Sequence, residues 1–289
     1  MTVEMQERTC STDVSATLFY AGDIPGRARF DVVEPERTNI ALTPVTASIQ
    51  DVRSRRDQYT LDDAGFAFIR HHSHAALDPA LIEANLIHAQ GDAAGSAYED
   101  ELVRFFAEST GARAVFPQVG GLIVRTSQRA SRKSWAMPAN FVHLDFTAKS
   151  ARQFLHWSAD AAGVDPGTFR RFVIYQTWRA ISPGPQDNVL CICDGRSVTA
   201  QDAVVFDASV GPHDQPGGEF ESRLCRPGPE HRWYYLSNME PDDLLIFKGF
   251  DSDLPESMNA MHTAFDNPLA GDDAPPRVSV EARFILLFD

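Results

Sequence analysis

Between Ala112 and Phe288 the chain is a succession of short apolar runs broken by Pro, Gly and Asp, and this density of short strands restricts the fold more than any other feature. Residues 112–116, 121–125, 140–146, 171–179, 188–193, 203–208, 233–237, 244–249 and 277–288 each read as a strand, with one helical interruption at 148–159. Many short strands must remove or shield their edges, which favours a barrel or two packed sheets. The expected architecture is mainly β with flanking helices: a double-stranded β-helix (jelly roll, cupin-like) core with an α/β N-terminal extension. Upstream, residues 1–60 look irregular apart from a strand at 16–20. Residues 65–72 alternate as a strand, and 78–90 and 97–109 have helical spacing, the second ending at Gly111. No composition break forces two units, so 1–289 reads as a single catalytic domain. In that reading residues 1–111 form a helical support outside a core at 112–289.

On one of these strands stands His143-Leu144-Asp145. Residues i and i+2 of a strand face the same way, so His143 and Asp145 can chelate one ion while Leu144 packs behind them. A third donor must come from another strand, and His262, in Met261-His-Thr-Ala-Phe265, lies in the right part of the chain. Two imidazoles and one carboxylate are the donor set of a mononuclear iron(II) site that keeps positions open for cosubstrate and O2. Short motifs arise by chance; here the order of elements agrees, since a turn and strand precede His262 and a long closing strand beginning with Arg277 follows it.

The usual cosubstrate of an oxygenase with such a site is 2-oxoglutarate, whose distal carboxylate calls for a cationic clamp. Arg277 and Ser279 share a face of the closing strand and are the expected clamp. Arg283 is the competitor, about 20 Å further along an extended strand, with an ion pair to Glu281 as its alternative role. Arg179 reads equally as a partner for a substrate carboxylate or for a core acid. Trp233, Tyr234 and Tyr235 read as core. His71, His72 and His74 have no carboxylate beside them in sequence and read as structural or solvated.

Composition excludes several classes. A net charge of −14 leaves no basic stripe to neutralise phosphates, so nucleic acid is not an expected partner. No run of about 18 apolar residues suggests a membrane span. Cys10, Cys191, Cys193 and Cys225 have no zinc spacing; Cys191 and Cys193 read as small core residues of a cytoplasmic protein. Gly-x-Ser-x-Gly, P-loop and dinucleotide-binding motifs are absent. The expected partner is a small-molecule substrate, and oligomeric state is left open. Two other readings stay open: a cupin-type metal-dependent hydrolase or isomerase, and a non-catalytic accessory β-barrel subunit.

Several segments resemble one family. Trp178-Arg-Ala-Ile-Ser-Pro-Gly-Pro-Gln-Asp-Asn-Val-Leu190, His231-Arg-Trp-Tyr-Tyr235, Leu245-Ile-Phe-Lys-Gly-Phe-Asp-Ser252, His262-Thr-Ala-Phe265 and Pro276-Arg-Val-Ser-Val-Glu-Ala-Arg283 are similar to the group of fungal gibberellin desaturase, AsaB-type hydroxylases and CmcJ-like proteins. The likeness runs from about Pro138 to the C-terminus and is thin before it. It implies an iron(II)/2-oxoglutarate-dependent oxygenase of secondary metabolism, with His143, Asp145 and His262 as ligands. The expected outcomes are hydroxylation, desaturation or oxidative ring closure. Two departures, Ala180 after Trp178-Arg179 and Met261 before His262, each stand where the family commonly has Pro. Neither removes a ligand, and both bear on the pocket wall.

Overall fold

The computed structural model describes residues 12–75, 93–127, 139–211, 217–254 and 259–289. The expected helix at 78–90 and Cys10 lie outside them. The strands run β1 Val14–Ala21, β2 Ala28–Asp31, β3 Leu42–Asp51, β4 Phe66–Arg70, β5 Ala114–Pro117, β6 Ile123–Thr126, β7 His143–Leu144 and β8 Arg171–Ala180. They continue as β9 Asn188–Cys193, β10 Ala203–Ser209, β11 Glu219–Cys225, β12 Trp233–Tyr235, β13 Asp243–Asp251, β14 His262–Asp266 and β15 Val278–Phe288. Helix α1 spans Ala93–Thr110 and α2 spans Ala148–Ala162.

These strands make two sheets. A nine-stranded sheet has the order β1-β3-β12-β9-β14-β7-β11-β10-β2; a six-stranded sheet has β4-β13-β8-β15-β5, with β6 also pairing β15. Alternation along β8 shows how they pack. Trp178 and Ala180 join Phe66, Phe68, Leu245, Phe247, Ile192 and Tyr234 in a core shared by the two sheets. Val173 and Tyr175 face the other way, onto Tyr98, Leu102 and Phe106 of α1. On the nine-stranded sheet, Cys191, Cys193, Trp233, Tyr235 and Phe265 form a second core with Leu18 and Ile49, while Tyr234 turns into the first. Cys191 and Cys193 are therefore core residues, as expected.

Three sequence expectations change. First, the N-terminal part is not a helical support outside the sheets: β1, β2 and β3 belong to the nine-stranded sheet and β4 to the six-stranded one. The reading of residues 1–60 as irregular misses β2, which is only four residues long, and β3, whose apolar alternation is confined to Val45, Ala47 and Ile49, the face it turns into the core. Second, β11 was not anticipated. Its buried half includes Ser222 and Arg223, which hide its apolar periodicity. Third, the strand expected at 140–146 is only two residues long.

The third change has a local cause. Thr147 is the N-cap of α2: its Oγ1 accepts from Ser150 N at 3.1 Å, and Ser150 Oγ accepts from Thr147 N at 2.9 Å. This reciprocal cap pulls the chain out of the sheet directly after Asp145. A left-handed Gly163 (φ 66°) ends the helix. Asp145 thus sits between a sheet-bound strand and a capped helix start, both of which fix its backbone.

Candidate metal centre

β14 lies between β9 and β7, and the antiparallel register sets His262 directly opposite His143. Their ring centroids are 4.2 Å apart. Leu144 turns into the core behind, as the i, i+2 argument requires. The donor atoms of His143, Asp145 and His262 all lie within 4.8 Å of one another.

Hydrogen bonding fixes which ring nitrogens face inward. His143 Nδ1 lies 2.8 Å from Phe141 O, and His262 Nδ1 lies 3.1 Å from Ala260 O. A carbonyl oxygen only accepts, so each Nδ1 carries the hydrogen and each Nε2 presents a lone pair. These Nε2 atoms approach Asp145: His262 Nε2 is 3.4 Å from Oδ2, and His143 Nε2 is 3.9 Å from Oδ1. Asp145 Oδ2 is buried and has no hydrogen-bond partner.

The electrostatics point the same way. Burial, with the His262 ring beside it, pushes His143 down to about 4, so the ring is neutral at physiological pH. Burial alone would raise Asp145. The Arg283 guanidinium and the two imidazoles outweigh it and hold the carboxyl well below its usual range. Two ring nitrogens and an ionised oxygen therefore converge in a buried place, an arrangement that a bound cation would stabilise. The residues fit a divalent metal with nitrogen and oxygen preference.

One cavity beside these donors is lined by Arg125, Trp178, Leu190, Arg277, Glu281 and Arg283 together with both histidines. Arg277 is buried: Nη1 donates to Ser279 Oγ at 2.6 Å and Nη2 to Asn188 Oδ1 at 3.2 Å, while the guanidinium stands 5.7 Å over the Trp178 ring. Its Nε has no partner, and neither has Trp178 Nε1. Among the described residues no carboxylate forms an ion pair with Arg277. Burial presses its guanidinium down to about 10, so it is still charged at neutral pH. Arg283 is engaged differently. Its Nε donates to Gln176 Oε1 at 2.7 Å and its Nη2 to Asp145 Oδ1 at 3.4 Å, with Glu281 at 3.8 Å.

Arg179 does not reach this cavity. It follows Trp178 on β8 and faces the opposite side, where it is fully buried against Tyr98. It donates to Tyr98 Oη at 3.2 Å, to His71 O at 2.9 Å and to Pro241 O, which corrects both the substrate-carboxylate and the core-acid readings. The histidines 71 and 72 do meet carboxylates, but from distant elements: His71 lies 3.6 Å from Glu101 and His72 lies 3.0 Å from Asp242. Gln176 and Arg125 escaped the sequence reading. The alternation that puts Trp178 inward also puts Gln176 inward, and that was the available signal.

A family model described as an oxidoreductase/YMDC permease-like domain matches residues 20–287. The chain belongs to that family. Among its relatives is the Fe(II)/2-oxoglutarate-dependent dioxygenase nvfI of Aspergillus novofumigatus, 28% identical over 260 residues, or 86% of each chain. Another is the hydroxylase/desaturase efuI of Hormonema carpetanum, 26% identical over 307 residues and spanning 100% of this chain and 98% of that one. The solved structure of the iron and alpha-ketoglutarate-dependent endoperoxidase NvfI superposes with a TM-score of 0.78 at 25% identity, over 96% of this chain and 98% of that one. The likeness thus extends well upstream of Pro138. The double-stranded β-helix fold and the family resemblance read from the sequence are both borne out. No helix among the described residues is long and apolar enough to cross a membrane.

Proposed function

We propose that His143, Asp145 and His262 hold one iron(II) and that Arg277 and Ser279 receive the distal carboxylate of 2-oxoglutarate. The protein is a non-haem iron(II)/2-oxoglutarate-dependent dioxygenase that uses O2 and acts in secondary metabolism, with hydroxylation, desaturation or oxidative ring closure as outcomes. The observation that carries the metal assignment is the convergence of two Nε2 lone pairs on the partnerless, ionised Asp145 Oδ2.

When bound, the metal supplies oxygen activation coupled to decarboxylation of the keto acid. The chain supplies orientation. Phe141 O and Ala260 O fix the two imidazoles in one tautomer. Arg277 is a buried cation with a donor to spare, prepared for a carboxylate rather than already neutralised by one. Leu190, Ala264 and Trp178 give the cavity an apolar wall that excludes water from the reacting groups. We place the enzyme in the cytoplasm, acting on a small molecule, with neither nucleic acid nor membrane as partner. Its free thiols Cys191, Cys193 and Cys225 suit a reducing compartment.

Anaerobic metal titration and succinate release test the assignment together. The wild type binds one iron(II) and releases succinate only with 2-oxoglutarate and O2. His143→Ala and His262→Ala lose both while remaining folded. Full metal binding in either variant refutes the ligand set, and turnover without consuming 2-oxoglutarate refutes the class.

A further inference from the structure

Arg283 and the metal carboxylate are joined by a fork that has no evident role in packing. Asp145 offers two oxygens. Oδ2 is buried, without a partner, and faces His262 Nε2; Oδ1 accepts from Arg283 Nη2 at 3.4 Å. Arg283 is itself held. The β8/β15 register sets it opposite Gln176, whose Oε1 takes its Nε at 2.7 Å. The Gln176 side chain also helps hold the Asp145 carboxyl below its usual range. Glu281 lies 3.8 Å from Arg283, and its own charge is taken by Arg125 at 2.7 Å. Gly249 backs the fork: a Cβ there would stand 3.0 Å from Gln176 Nε2 and 2.9 Å from Phe146.

We propose that Arg283 is a positioning residue which occupies Asp145 Oδ1, so that the carboxylate meets the metal through Oδ2 alone. The reasoning rests on the iron(II) reading above. A free carboxylate can bind a cation through one oxygen or two. A facial site with three protein donors must leave three positions for the keto acid and O2. If Oδ1 were released, it could swing onto the metal and take one of those positions. A guanidinium is suited to prevent this, because it donates in a fixed plane and does not compete as a ligand. The role differs from that of Arg277, whose guanidinium forms no ion pair among the described residues and keeps Nε unpartnered.

The test compares wild type, Arg283→Met and Arg283→Lys by anaerobic titration with Co(II), a redox-stable stand-in, and with iron(II) plus 2-oxoglutarate. Arg283→Met is expected to bind Co(II) within about threefold of wild type, or more tightly, with a visible spectrum showing a changed ligand number. Its keto-acid charge-transfer band and its kcat at saturating 2-oxoglutarate are each expected to fall by about tenfold or more. Arg283→Lys, which can still hold Oδ1, should restore most of the band. An unchanged Co(II) spectrum with wild-type kcat overturns the proposal. So does a KM for 2-oxoglutarate raised about tenfold at constant kcat, which would make Arg283 a cosubstrate clamp. Loss of Co(II) binding together with a lowered Tm in both variants would assign a purely structural role and also overturn it. Failure of the wild type to bind metal through His143 sinks the underlying site instead, so the two failures are distinct.

Discussion

Replacing Arg277 by Met tests the clamp where its energetics are most readable. Arg277 is 1% exposed, and its Nε has no hydrogen-bond partner. A carboxylate bound there exchanges water for charge-assisted hydrogen bonds in a buried setting. Removing one partner of such a pair costs about 2–5 kcal/mol. At about 1.4 kcal/mol per tenfold, affinity for 2-oxoglutarate should fall by between about 30-fold and about 4,000-fold. The substitution also strands Ser279 Oγ and Asn188 Oδ1, a stability cost of about 1–3 kcal/mol that must be tracked separately by Tm. Arg277→Lys keeps the charge but cannot span Ser279, Asn188 and a carboxylate at once, so it should fall in between. The assay is an anaerobic titration of the metal-loaded protein with 2-oxoglutarate, alongside kcat at saturating cosubstrate. Metal affinity should stay within about threefold, since Arg277 touches none of the three donors. The reasoning is refuted if folded Arg277→Met binds 2-oxoglutarate like wild type while Arg283→Met does not.

Three further outcomes follow from the packing and the charges. Gly249→Ala should push Phe146 and Gln176 away from Asp145, with a stability loss of about 1–3 kcal/mol and weaker metal retention; unchanged metal affinity would show that the close approach is immaterial to the site. Arg179→Met should destabilise by about 3 kcal/mol, by orphaning His71 O and Pro241 O, without altering 2-oxoglutarate affinity. A raised substrate KM at unchanged Tm would instead return Arg179 to the substrate site. Glu99 on α1 is raised to about 7 by burial and then by Asp100. Its folded value exceeds the unfolded one, so its protonated contribution is complete below about pH 4.5 and lost as pH rises through 7. Glu99→Gln should therefore be neutral at pH 5 and stabilising at pH 8 by about 1–2 kcal/mol, allowing for partial exposure; equal melting shifts at both pH values would contradict this.

What the sequence disclosed follows the strength of each segment's pattern. β8, β9, β13 and β15 are largely buried, and each was placed within a residue or two because a continuous apolar run leaves little choice of state. α2 is legible as the helical interruption at 148–159, three residues short of its end at Ala162. β2 is not legible, because four residues of mixed burial are too few to show a pattern; β3 does alternate, with Val45, Ala47 and Ile49 inward, and there an available signal is missed. Membership of the N-terminal strands in both sheets is a long-range property, and local pattern does not encode it.

The site divides along the same line. Two-residue periodicity correctly set His143 and Asp145 to one side of Leu144, although the strand behind that argument is only His143–Leu144. The two side chains still converge although the chain bends at Asp145, where the ladder hydrogen bonds have ended. Which arginine meets which acid depended instead on register across strands. Counting along β15 alone makes Arg277 and Arg283 competitors for one carboxylate, distinguished only by distance from His262. Pairing β15 with β8 gives them different partners: Arg283 falls opposite Gln176 and reaches Asp145, whereas Arg277 lies beyond the last paired residue, Ser279, and turns to Asn188. On the proposed assignment Arg283 on β15 and Arg277 just before it have separate tasks, one fixing a protein carboxylate and the other receiving a diffusible one. That division would let a single closing segment serve the metal and the cosubstrate together.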